Sequence, residues 1–96
     1  MQTILMKLRF TLQAHAVFSK LPPETKSLVK KALTDILSHP YSGKPLQGEL
    51  SGYSSYRTKR YRVIYRFNDE NRSVDVIHIG HRSGIYEQLE TLLRNR

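Results

Sequence analysis

Hydrophobic positions along this chain change period several times, and each change marks an element. Ile4 to Phe10 (ILMKLRF) is mostly apolar with basic residues interspersed, the pattern of a strand covered fully on one face and partly on the other. Thr11 offers a hydroxyl N-cap, and beyond it Ala14, Val17, Phe18 and Leu21 recur at the i, i+3, i+4, i+7 spacing of one helix face. Pro22-Pro23 ends that helix, because proline has no amide hydrogen and its ring clashes with the preceding turn. A stronger stripe of Leu28, Val29, Ala32, Leu33, Ile36 and Leu37 then runs to His39-Pro40, with Lys26, Lys30, Lys31 and Asp35 on its outer side. So short a connection predicts an αα-hairpin with both apolar stripes packed on a common sheet.

The periodicity then disappears. Tyr41 to Gly52 is rich in glycine, serine and proline and reads as a loop leading back to the sheet. Three β-type runs follow, Tyr53 to Thr58, Tyr61 to Phe67 and Ser73 to Ile79, separated by Lys59-Arg60 and by Asn68 to Asn71. They predict two successive antiparallel hairpins. Ser83-Gly84 breaks the last strand, and Ile85, Leu89, Leu92 and Leu93 mark a final amphipathic helix with Ser83 as its cap. The order β-α-α-β-β-β-α predicts an α+β domain: an antiparallel sheet with the helical hairpin on one face and a C-terminal helix. No segment repeats, and residues 1–96 are expected to form a single domain around one compact core.

Composition narrows the chemistry. Cysteine is absent, which removes disulfides, thiol nucleophiles and the commonest zinc cages, and fits a reducing compartment. No apolar run approaches the roughly 20 residues of a membrane span, and Met1 to Phe10 lacks the pattern of a signal peptide. A soluble cytoplasmic protein with no membrane partner is expected. Sixteen Lys+Arg against 8 Asp+Glu give a net charge of +8, which implies an acidic partner or merely a well-solvated basic surface. Clustering decides between the two.

The segment RTKRYRVIYR holds Arg57, Lys59, Arg60, Arg62 and Arg66 with no acidic residue. Strand alternation turns Tyr61, Val63, Tyr65 and Phe67 toward the helices and Arg62, Ile64 and Arg66 away. If Lys59-Arg60 is a two-residue turn, Arg57 faces Arg62, and such like charges favour an anion between them. The arginine fork matches phosphate oxygens. Against this, neither Lys nor Arg suits the positive φ of that turn, and a solvated edge hairpin kept soluble by charge has the same composition. In HIGHRSGIY, alternation places His78, Gly80 and Arg82 on one face and Ile77, Ile79 and His81 on the other, unless Gly80 introduces a bulge. Two histidines without a cysteine or carboxylate triad do not make a metal site. Tyr86, in the first turn of the last helix, either overhangs the sheet near Arg82 or packs in the core.

GKPLQGELSGYSSYRTKRYRVIYRF followed by VDVIHIGHRSGIYE resembles the second half of the RelE/ParE toxins of type II toxin–antitoxin systems. The N-terminal ILMKLRFTLQAHAVFSKLP, a helix and HPYSGKPL are similar to that family's opening strand and helical hairpin, so the resemblance spans Met6 to about Leu92. The RelE branch is favoured, because of GHR with Tyr86. It implies cleavage of messenger RNA on the ribosome by attack of the RNA 2′-hydroxyl on the adjacent phosphodiester, with no metal or other cofactor. The resemblance carries the sheet arginine onto Arg62, a second phosphate-binding arginine onto Arg82, and a tyrosine onto Tyr86. Where the RelE pattern has two alternating lysines, this chain has Ser55 and Arg57. Arginine, with a pKa above about 12, stabilises charge but transfers protons poorly, which leaves His81, His78 and Tyr86 as candidates for proton transfer. Arg57, Arg62, Arg82, Tyr86 and His81 are thus the expected catalytic set, and Lys44, Lys59, Arg60, Arg66 and His78 the expected RNA-binding set. The partners implied are a cognate antitoxin, messenger RNA and the ribosome. An antitoxin would use the basic face, or the groove of the last helix by displacing Leu89 and Leu92. Two alternatives share the fold: a ParE-like inhibitor of DNA gyrase without nuclease activity, and a non-catalytic RNA-binding relative.

Overall fold

The computed structural model describes residues 6–81 and 84–94. Strand β1 (Lys7–Phe10) leads into α1 (Leu12–Ser19) and α2 (Pro23–Ser38). After these come β2 (Lys44–Pro45), a 3-10 turn (Gly48–Leu50), β3 (Ser54–Thr58), β4 (Tyr61–Asn68), β5 (Ser73–His81) and α3 (Ile85–Arg94). The five strands form one sheet in the order β1-β5-β4-β3-β2. The expected α+β architecture is present, with two additions. Strand β1 runs parallel to β5 while the other neighbours are antiparallel. The stretch expected as plain loop contributes β2, a two-residue edge strand whose Pro45 offers no amide hydrogen to a further strand.

Each boundary has a local cause. Thr11 caps α1 by accepting from the Ala14 amide at 3.1 Å, and its hydroxyl donates to the Ile77 carbonyl at 3.1 Å, so one side chain starts the helix and ties it to β5. Helix α2 starts with Pro23 in its first turn, where the missing amide hydrogen costs nothing, and its stripe buries Val29, Ala32, Leu33 and Ile36. These pack on Val63, Tyr65, Val74, Val76 and Ile79 to form the core beneath the helical hairpin. A second, smaller core lies on the other face, where Ile85 and Leu89 of α3 meet Ile64 and Leu50. The sheet is therefore a middle layer with both sides in use.

Tyr65 joins the sheet to the loop after α2. Its hydroxyl donates to the Pro40 carbonyl at 2.7 Å and accepts from the Gly43 amide at 3.0 Å. A Cβ at position 43 would stand 2.5 Å from that hydroxyl, so the contact requires glycine. Burial raises the phenol's pKa above its ordinary value, despite the opposing hydrogen bond from Gly43.

Two features of register set the site. The β3–β4 turn is the two-residue Lys59-Arg60, with Thr58 opposite Tyr61 and Arg57 opposite Arg62 as expected. Lys59 accepts the positive φ, 53°, that the turn demands. Along β4 and β5, Ile64 pairs with His78 but Tyr65 pairs with Val76, leaving Ile77 as an extra residue. The bulge thus falls at Ile77, not at Gly80. It corrects the expected alternation: Ile77 packs with the α3-side core, whereas Ile79 belongs to the hairpin side.

Candidate functional site

Residues directly opposite one another in a sheet share a face. On the face away from the helical hairpin, the register builds one row of Arg57, Arg62 and Gly80, and beside it a row of Lys44, Ser55, Ile64 and His78. Helix α3 covers the β5 side of these rows. It lies close because Gly80 has no side chain: a Cβ there would stand 2.9 Å from Ile85 Cδ1. The helix carries Tyr86 outward, so that its ring lies 5.7 Å from the Arg62 guanidinium carbon.

Ser55 is the centre of this arrangement. Its hydroxyl accepts from Arg62 Nη1 at 3.3 Å and from the Tyr86 hydroxyl at 3.4 Å, both long bonds around a residue only 3 % exposed. As a site member Ser55 was not foreseen, although its place two residues before Arg57 on the same face was the signal available. Arg62 Nε is buried without a hydrogen-bond partner among the described residues. The ion pairs among the described residues join Arg9 and Arg66 to Asp75, Arg72 to Asp69 and Arg94 to Glu90. None of them neutralises Arg57 or Arg62. Two facing guanidiniums with a free buried N–H form a site whose electrostatics and geometry favour a phosphate.

The other expected residues distribute unevenly. Lys44 flanks Ser55 on the same face and extends the positive surface toward β2. Arg66 shares the face but lies toward the far end of β4, 3.9 Å from the Asp75 carboxylate. Lys59 and Arg60 sit exposed at the hairpin tip, where Lys59 borders a cleft with Glu24 and Lys31 of α2. His78 lies beneath α3, with Nε2 3.1 Å from Gln88 Oε1 and Nδ1 buried without a partner. His81 stands opposite Tyr61 on the hairpin side, its ring centroid 5.2 Å from the tyrosine ring. The structure therefore brings together Arg57, Arg62, Tyr86, Ser55 and Lys44, and separates His81 from them by the thickness of the sheet. Arg82 and the expected cap Ser83 lie outside the described residues.

Chemically, the arginine row can hold a phosphodiester and stabilise added negative charge on it. On this face, Tyr86 supplies a hydroxyl whose proton is transferable, and Ser55 supplies a second hydroxyl bonded to it. Among the described residues no group of three or more His, Cys, Asp or Glu is placed to hold a metal ion, and no helix is long and apolar enough to cross a membrane.

Comparison with known proteins places these features in context. Residues 8–86 match the family described as ParE toxin of type II toxin–antitoxin system, parDE. Toxin RelG of Mycobacterium tuberculosis is 39 % identical over 82 residues, covering 83 % of this chain and 94 % of RelG. Among solved structures, the crystal structure of the toxin–antitoxin complex RelBE2 from M. tuberculosis contains a chain that superimposes with a TM-score of 0.73 at 37 % identity, covering 82 % of this chain and all of that one. An E. coli RelE mutant in the free state gives a TM-score of 0.77 at 24 % identity over 95 % of this chain and 98 % of its own, a likeness of fold.

Proposed function

This chain belongs to the RelE/ParE family of type II toxin–antitoxin toxins, and from that premise we propose that it is a RelE-like endoribonuclease acting on messenger RNA at the ribosome. The observation that carries the reading is the facing pair Arg57 and Arg62, without a salt bridge among the described residues, with Arg62 joined through Ser55 to the hydroxyl of Tyr86. In the proposed reaction the RNA 2′-oxygen attacks the adjacent phosphorus and releases its proton to water, the bond from phosphorus to the 5′-oxygen breaks, and that oxygen takes up a proton, so the products are a 2′,3′-cyclic phosphate and a 5′-hydroxyl. Arg57 and Arg62 bind the phosphate and stabilise the charge that grows on its non-bridging oxygens. Tyr86, whose hydroxyl donates to Ser55 Oγ in the free protein, gives its proton to the departing 5′-oxygen and regains one from water. Lys44 guides the RNA backbone along the same face. Arg82 takes a second phosphate contact on the strength of the family pattern.

A cognate antitoxin is the proposed protein partner, supported by the likeness to the toxin chain of RelBE2, which is seen in a complex with its antitoxin. Primer extension on a translated message tests the activity. Discrete cuts within ribosome-bound codons are expected, and Arg62→Ala should weaken them by about 100-fold or more, the scale of losing one transition-state charge stabiliser. Intact message during growth arrest overturns the proposal. A gyrase-inhibiting reading is favoured by one observation, that neither His78 nor His81 stands free on the arginine face to act as a base. It predicts intact message together with gyrase-dependent DNA cleavage, so both readings are scored in the same cells.

A further inference from the structure

We propose that the cleft between the β2 segment and Tyr86 is a nucleobase subsite, in which Gln47 reads the edge of a base next to the phosphate held by Arg57 and Arg62. This rests on the RNA-cleavage reading above and adds to it a source of sequence preference. The cleft has a volume of about 410 Å³ and is lined by Lys44, Pro45, Leu46, Gln47, Leu50 and Tyr86. Leu50 belongs to the α3-side core and Leu46 packs against that core, so the floor is apolar and anchored. The Tyr86 ring forms one wall and also lies over Arg62. A single side chain thus separates the phosphate position from the cleft.

The backbone that presents Gln47 is held at both ends. Upstream, Lys44 and Pro45 pair with Ser55 and Ser54, and the Leu46 amide donates to the Tyr53 carbonyl at 2.9 Å. Downstream, the Gln47 carbonyl accepts from the Leu50 amide at 3.2 Å, closing the 3-10 turn. Gln47 is exposed on this fixed turn, and its side-chain amide offers both a donor and an acceptor, the pairing that a base edge requires. The chemistry of the lining points to a base and not to an acidic peptide. One cation, one neutral amide, an aromatic ring and three apolar residues suit a flat ring with a polar edge, and single-stranded RNA is read by stacking plus edge hydrogen bonds.

The test uses the full chain and Gln47→Ala, an exposed position outside the machinery assigned to cleavage. Cut frequencies are measured across many codons of a translated message. Gln47→Ala is expected to change the ratio of cutting between codons that differ at one base by about 5-fold, the scale of one lost hydrogen bond, while total cutting persists. An unchanged ratio overturns the subsite. A second measurement separates this outcome from failure of the cleavage reading: nuclear magnetic resonance of the free protein titrated with tri-adenylate and tri-uridylate. Shifts of the Gln47 side-chain amide and of the Leu46 and Leu50 methyls, the methyl shifts being weaker in Gln47→Ala, support the subsite even if the message stays intact. Methyls that respond to antitoxin and to neither trinucleotide overturn it even if the message is cut.

Discussion

A half-buried guanidinium with an unpartnered Nε, facing a second arginine, is costly unless an anion completes it. The energetics of Arg62 therefore favour a bound phosphate, and the division of labour around it follows from which groups can release protons. The arginine guanidinium serves as a charged hydrogen-bond donor, whereas the Tyr86 hydroxyl is the proposed general acid. Tyr86→Phe keeps the ring over Arg62 and removes only the hydroxyl on Ser55. It is expected to slow cleavage by about 100-fold or more while RNA binding is retained, the scale of a lost general acid. His81→Ala, on the opposite side of the sheet, is expected to change the rate by no more than about twofold, as for an ordinary surface substitution. Single-turnover cleavage rates for the two variants check the assignment, and equal losses would contradict it.

At the scale of elements, the site depends on how closely α3 lies on β5. Gly80 permits that approach, and an added methyl would meet Ile85 Cδ1 at 2.9 Å. Gly80→Ala is therefore expected to destabilise the fold by about 1–3 kcal/mol, the cost of overpacking, as read from the midpoint of chemical denaturation. Cleavage should fall as well, because Tyr86 rides on the displaced helix. Local pattern made several of these elements legible in advance. The Thr11 cap, the α2 stripe and the pairing of Arg57 with Arg62 each follow from residues close together in the chain. What escaped depends on distant partners. The bulge at Ile77 is created by matching β5 to β4, and the parallel seat of β1 beside β5 joins segments 66 positions apart, as in Leu8 with Val74. In the sequence Ser55 is a gap in a lysine pattern, since nothing local shows that Arg62 and Tyr86 converge on it. Alternation puts His81 on the side away from the arginines, and only the chemistry of its ring groups it with them.

For the molecule as a whole, the charge of +8 matters through its unneutralised part. Asp75 engages both Arg9 and Arg66, whereas Arg57, Arg62 and Lys44 share a face without a salt bridge among the described residues. Each phosphate neutralised on single-stranded RNA contributes about −0.7 to the logarithmic dependence of affinity on salt, so three phosphates, one each for the Arg57–Arg62 pair, Lys44 and Arg82, predict about −2. Fluorescence anisotropy with a short labelled RNA measures this slope. Lys44→Gln should flatten it by about one phosphate's share, and Arg66→Gln should leave it largely unchanged.

The seat of β1 at the sheet edge beside β5 also governs the order in which the protein can assemble. The first strand has no sheet neighbour until the fifth has been made, and the helical hairpin has little to cover until β4 and β5 are in place. Long-range pairing of this kind is entropically late. The arginine hairpin can form on its own, but Tyr86 arrives with the final helix. A nascent chain leaving the ribosome is thus expected to remain harmless until nearly all of it has been synthesised, which leaves an interval in which an antitoxin can be present before the toxin is completed.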